Sequence, residues 1–124
     1  RRLIQIEPDN PHAYNALGYT LADKTDRLDE ALELISRALE LRPDDPFILD
    51  SIGWVHFRLG NHEQAINYLQ QAFELFPDAE IAAHLGEVNW VSGGRERARE
   101  IWGHAYEENP DSSVLKETMQ RLDP

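Results

Sequence analysis

The sequence has no cysteine, which excludes a disulfide framework, a thiolate zinc site, an iron–sulfur cluster and a cysteine nucleophile. It is also short of basic residues: 12 Lys+Arg against 23 Asp+Glu leave a formal net charge of −11 over 124 residues. A chain with a pI near 4.7 repels phosphate backbones, so nucleic acid and anionic lipid surfaces are poor partners. No apolar run approaches the roughly 20 residues of a membrane span, and no basic-then-apolar leader is readable at its start. What the chain does have is 41% hydrophobic residues, enough for a packed core in one domain.

It also has a period. Pro8, Pro43, Pro77 and Pro110, each followed by aspartate, recur at intervals of 35, 34 and 33. Gly18, Gly53 and Gly86 recur at 35 and 33, while Ala31/Ala65/Ala98 and Ala38/Ala72/Ala105 each recur at 34 and 33. Each period holds two helical patterns. In the second, Leu49, Ile52, Val55 and His56 share one helix face, and Ala65, Leu69, Ala72 and Phe76 share another. Asn10-Pro11 and Asp45-Pro46 place a side-chain acceptor at an N-cap with proline at the first helical position. Asn61-His62-Glu63-Gln64 reads as a capping box, and Gly60 and Gly93 suit the ends of preceding helices.

Small residues at the glycine and alanine positions, with the closing prolines, resemble the tetratricopeptide repeat (TPR) over nearly the whole chain. The resemblance implies an all-α, right-handed α-solenoid of three TPR hairpins and a C-terminal capping helix. The units are 11–45, 46–78, 79–111 and the cap 112–124, with 1–8 as the end of a truncated preceding helix carrying Leu3, Ile4 and Ile6. On that reading the chain is a portion of a longer array. Tyr14, Leu17, Ile35, Leu39, Leu49, Ile52, Leu69, Leu85, Trp102 and Tyr106 are expected between the helices. Departures are the glycine-free turn Asp23-Lys24-Thr25-Asp26, and Leu21, His56 and Asn89 where the family favours large aromatics. If Asn89 is buried, its amide needs partners.

In the family the first helices line a concave face that takes extended or helical peptides. The corresponding places here are His12, Asn15, Tyr19 and Ala22, then Phe47, Asp50, Trp54 and Phe57, then Glu80, Ala83, Glu87 and Trp90, with Val114, Glu117 and Arg121 on the cap. The family's carboxylate clamp for chaperone C-termini does not fit. Its matching places are Asn15, Tyr19, Ser51, Glu80 and His84, and Glu80 would repel a carboxylate. The other reading is an acidic, aromatic groove of Asn15, Tyr19, Phe47, Asp50, Trp54, Phe57, Glu80, His84, Glu87 and Trp90, suited to a basic or amphipathic segment. Helix-spaced aromatics equally serve as packing between repeats.

A catalytic reading finds no support. No Ser–His–Asp order, phosphate-cradling loop or paired catalytic carboxylates stands in a recognisable setting, and Gly93-Gly94 reads as a turn. Arg95-Glu96-Arg97-Ala98-Arg99 reads as an outer helix face. Glu80, His84 and Glu87, at i, i+4 and i+7, form one alternative, a metal patch on a single helix. His56 reads as a core histidine. The expectation is therefore a non-enzymatic protein-interaction module, scaffold or adaptor, with no cofactor; self-association of a larger array is the alternative. Runs such as Asn15–Asp23, Asp29–Ile35, Pro43–Pro46 and Ala82–Glu87 resemble the C-terminal repeats of large bacterial cell-envelope proteins, often lipoproteins. That resemblance implies a periplasmic-side location and, as partners, envelope proteases or cell-wall enzymes.

Overall fold

A computed structural model describes residues 10–124, and the expected helix at 1–8 lies outside them. Among the described residues there are seven helices and no strand. They are α1 (Pro11–Lys24), α2 (Leu28–Leu41), α3 (Pro46–Arg58), α4 (His62–Leu75), α5 (Ala79–Val91), α6 (Arg95–Glu108) and α7 (Ser113–Leu122). Helices pair as α1·α2, α3·α4 and α5·α6, and each hairpin packs on the next, with α7 against α5. The chain is an all-α solenoid. None of these helices is long and apolar enough to cross a membrane.

Most of the boundary chemistry follows the residues. Asn10 accepts from the amides of His12 and Ala13, and Asp45 from those of Phe47 and Ile48, each satisfying donors that the first helical turn leaves open. Asp78 and Ser112 cap α5 and α7 in the same way. Gly60 and Gly93 turn with φ of 89° and 99°, the left-handed region that side chains resist. The glycine-free first turn instead uses Thr25, whose Oγ1 donates to the Leu21 carbonyl and accepts from the Arg27 amide.

The Asn61 capping box does not form: the α4 N-cap makes no side-chain bond. Asn61 directs its Nδ2 to His56 Nδ1 at 3.2 Å instead, so a tertiary acceptor competes successfully with the helix end. Asn89, one of the departures from the family pattern, donates to the Leu85 carbonyl at 2.9 Å.

Small residues allow the close approach of paired helices. A Cβ built on Gly86 would stand 2.0 Å from Trp102 Nε1 and 2.5 Å from its Cδ1, and that indole is 1% exposed. Ala31, Ala65, Ala72 and Ala98 are fully buried. Tyr14, Ile35, Leu49, Ile52, Leu69, Leu85 and Trp102 lie in the core as expected. Leu17 and Leu39 are only half-buried, and Tyr106 is exposed because the short α7 leaves it beside a shallow cleft with Lys116, Met119 and Gln120.

Candidate peptide-binding groove

The first helices of the hairpins, α1, α3 and α5, lie side by side, which brings residues one repeat apart into contact. The centre of their shared face is a buried pair. His84 Nδ1 on α5 donates to Asp50 Oδ1 on α3 at 2.8 Å, with His84 8% and Asp50 7% exposed. Burial pushes the imidazole toward its neutral form, but the Asp50 charge and hydrogen bond, with Glu80 and Glu87 behind them, raise its pKa above the ordinary 6.5. Trp54 stacks on that imidazole with ring centroids 4.3 Å apart, and Tyr19 approaches it at 6.3 Å. A protonated imidazole against an indole face is also a cation–π contact. Phe57 continues the aromatic surface, 5.0 Å from Trp54.

Beside this cluster lies a cleft lined by Asn15, Ala16, Tyr19, Phe47, Asp50, Ser51 and Glu80. Burial pushes the Tyr19 phenol well above its usual range, reinforced by Asp50, Asp23 and Glu80. Two polar atoms here are buried without a hydrogen-bond partner: Asn15 Oδ1 and Trp54 Nε1. Buried polar groups are ordinarily satisfied, so both mark this face as unfinished.

The ten candidate residues do not form one surface. Asn15, Tyr19, Phe47, Asp50 and Glu80 line the cleft, and Trp54, Phe57 and His84 adjoin it. Asp50 is not an open groove acid, because its carboxylate is buried against His84. Glu87 is occupied by Arg121 of α7, with Nη2 to Oε1 at 2.6 Å. Trp90 stacks on Trp102 at 5.6 Å and carries the guanidinium groups of Arg95 and Arg99 at 4.8 and 5.3 Å. It is half-buried against the partner helix, and the two arginines, both exposed, lie over its ring. Ala22 and Ala83 are buried between helices. Nor does the metal patch form: His84 turns to Asp50 and Glu87 to Arg121. Among the described residues no three His, Cys, Asp or Glu side chains gather to hold an ion.

Two residues named above for other reasons also reach this face: Ser51, a clamp-matching place, lines the cleft, and Phe76, assigned to a helix face with Ala72, meets Phe47 edge-on at 5.6 Å. Phe76 follows α4 rather than lying on a first helix, so its helix-face spacing does not signal this contact.

Profiles of the tetratricopeptide repeat match residues 9–78 and 51–113. The chain belongs to the TPR family. It is 54% identical over 122 residues to the TPR repeat-containing protein PA4667 of Pseudomonas aeruginosa, covering 98% of this chain and 21% of that protein. It is 33% identical over 84 residues to the mitochondrial import receptor subunit TOM70 of Rattus norvegicus, covering 68% of this chain and 14% of the receptor. The chain thus spans about a fifth or less of these relatives. Among solved structures, a thermophilic TPR protein of Thermus thermophilus superposes with a TM-score of 0.85 at 23% identity, over 98% of this chain and 68% of that one. The first TPR of Spaghetti (RPAP3), bound to the HSP90 peptide SRMEEVD, gives 0.76 at 15% identity over 90% and 89% of the two chains. These two likenesses show the fold.

Proposed function

We propose that this TPR segment is a non-catalytic interaction module that holds a basic or amphipathic peptide or partner helix across α1, α3 and α5. The observation that carries the proposal is the cleft of Asn15, Tyr19, Phe47 and Glu80 running into the Trp54–Phe57 aromatic surface. Rigid rings with polar edges give contact area at small entropic cost, and the residual acid steers cationic segments. The peptide SRMEEVD, held by the Spaghetti (RPAP3) domain, is acidic, whereas this groove offers the open Glu80 carboxylate and no basic side chain. The same architecture is proposed here with the opposite charge preference. Within a longer protein the segment would act as scaffold or adaptor. The resemblance to envelope repeats extends the proposal to a periplasmic-side location, with envelope proteases or cell-wall enzymes as partners.

Peptide display on the immobilised chain tests this. Selected sequences rich in basic and apolar residues, whose binding shifts tryptophan fluorescence and is lost in Trp54→Ala at unchanged helicity, are expected. Acidic selections, or binding untouched by Trp54→Ala, would overturn it. If the segment serves self-association, sedimentation at several concentrations will instead show dimers that no peptide competes away.

A further inference from the structure

The interaction reading leaves open which chemical group enters the cleft, and the lining answers that. Its lining carries one open charge, a carboxylate, and one buried unpaired acceptor, beside the Tyr19 hydroxyl, which can donate or accept. Glu80 is exposed and makes no ion pair among the described residues. Asn15 Oδ1 has no donor. Ser51 has already spent its proton on the Phe47 carbonyl at 3.0 Å, leaving its lone pairs. The rings of Tyr19 and Phe47 supply apolar walls, and no basic side chain lines the space, which is about 180 Å³ and opens to solvent.

The chain also displays the cation that this face accepts. Arg121 of α7 places its guanidinium on Glu87. Glu80 and Glu87 are seven residues apart on α5, two turns and about 10 Å along one helix face. One carboxylate of the pair is filled from within the chain and the other is not.

Resting on the interaction reading above, we propose that the cleft between Glu80, Asn15 and Tyr19 is a specificity subsite for a single arginine side chain of the partner. A guanidinium presents five donors in a planar fork, so it can serve Glu80 and, once the amide turns toward it, Asn15 together, while its face lies on an aromatic ring. An ammonium is a compact point charge that meets fewer of these at once. Asp50 also lines the cleft and adds negative potential, with its Oδ1 already held by His84.

The test is NMR titration of the ¹⁵N-labelled chain with N-acetyl-argininamide as the probe. Saturable shifts are expected at Asn15, Tyr19 and Ser51 and not at the Trp90 indole. The isosteric, uncharged N-acetyl-citrullinamide should give none, and N-acetyl-lysinamide should bind more weakly. Glu80→Gln, an exposed change that leaves the fold intact by circular dichroism, should weaken arginine binding by about threefold to fivefold, the range of one partly solvated ion pair. No saturable shift at these residues, equal shifts with citrulline, or lysine binding as tightly as arginine would each overturn the subsite. Peptides selected in the display experiment separate the two readings. Groove-bound peptides lacking arginine sink the subsite alone, whereas an arginine response with no selectable peptide sinks the interaction reading and leaves the subsite without a partner to serve.

Discussion

Two buried histidines sit in adjacent repeats and behave in opposite ways. His56 on α3 stacks on Tyr68 with centroids 5.6 Å apart, and His84 on α5 stacks on Trp54 at 4.3 Å. They are 9% and 8% exposed. Burial alone acts on His56 and lowers its pKa, and Asn61 Nδ2 approaches its Nδ1 as a donor, which suits an unprotonated ring. His84 meets the same burial but also Asp50, Glu80 and Glu87, and its pKa rises. Residue type, burial and an aromatic neighbour are shared; the carboxylate is what differs. A histidine in a repeat interface therefore holds its proton more or less tightly than a free imidazole according to one residue in the preceding repeat.

Removing the difference gives the largest effect. His84→Leu leaves the Asp50 carboxylate buried without its cation, a change that costs about 3 kcal/mol in comparable sites, read as a lower urea midpoint at pH 6. Asp50→Asn comes next, at about 1–2 kcal/mol, and should turn His84 into a second His56, its NMR-observed pKa falling from above 6.5 to below it. The signs with pH are opposite for the two rings. The raised pKa of His84 contributes stability that is complete below 6.5 and fades as pH climbs through the folded value. The lowered pKa of His56 contributes stability that is present above 6.5 and is lost as pH falls through its folded value. Unfolding free energy measured across pH 4–9 should lose its alkaline fade in Asp50→Asn. In His56→Leu it should lose part of its acid fall, at a cost near 1 kcal/mol. An Asp50→Asn profile parallel to that of the parent chain would refute the assignment.

How much of this was legible beforehand follows from where each interaction is encoded. The helices and the Asn10 and Asp45 caps are local, with a residue and its partners within one turn, and the repeat is written as recurrence of residue type at intervals of 33–35, so spacing and type suffice. Asp50 and His84 were both readable as face residues, but their bond joins positions 34 apart, and no single-helix pattern records whether a carboxylate faces solvent or an imidazole. The same blindness affects Asn61, whose amide had a cap in reach and took His56 instead. Trp90 shows the converse limit. Its helical phase matches the groove, yet it is half-buried, with Trp102 and two arginines against it from the partner helix. Periodicity assigns a face; which neighbour covers that face depends on side-chain size in the next element.

The smallest predicted effect isolates the aromatic contribution. Trp54→Phe keeps a ring against His84 but removes an indole N–H that has no partner. Relief of that unsatisfied donor offsets the lost ring area, so stability should change by no more than about 0.5 kcal/mol. Tryptophan is the better cation–π acceptor, so the His84 pKa should fall slightly while staying above 6.5, far less than in Asp50→Asn. Tyr68 already argues for this ranking, because it stacks on His56 at an interplanar angle of 10° and does not raise that ring's pKa. A Trp54→Phe variant in which His84 titrates like His56 would show that the indole, rather than the carboxylate, holds the proton.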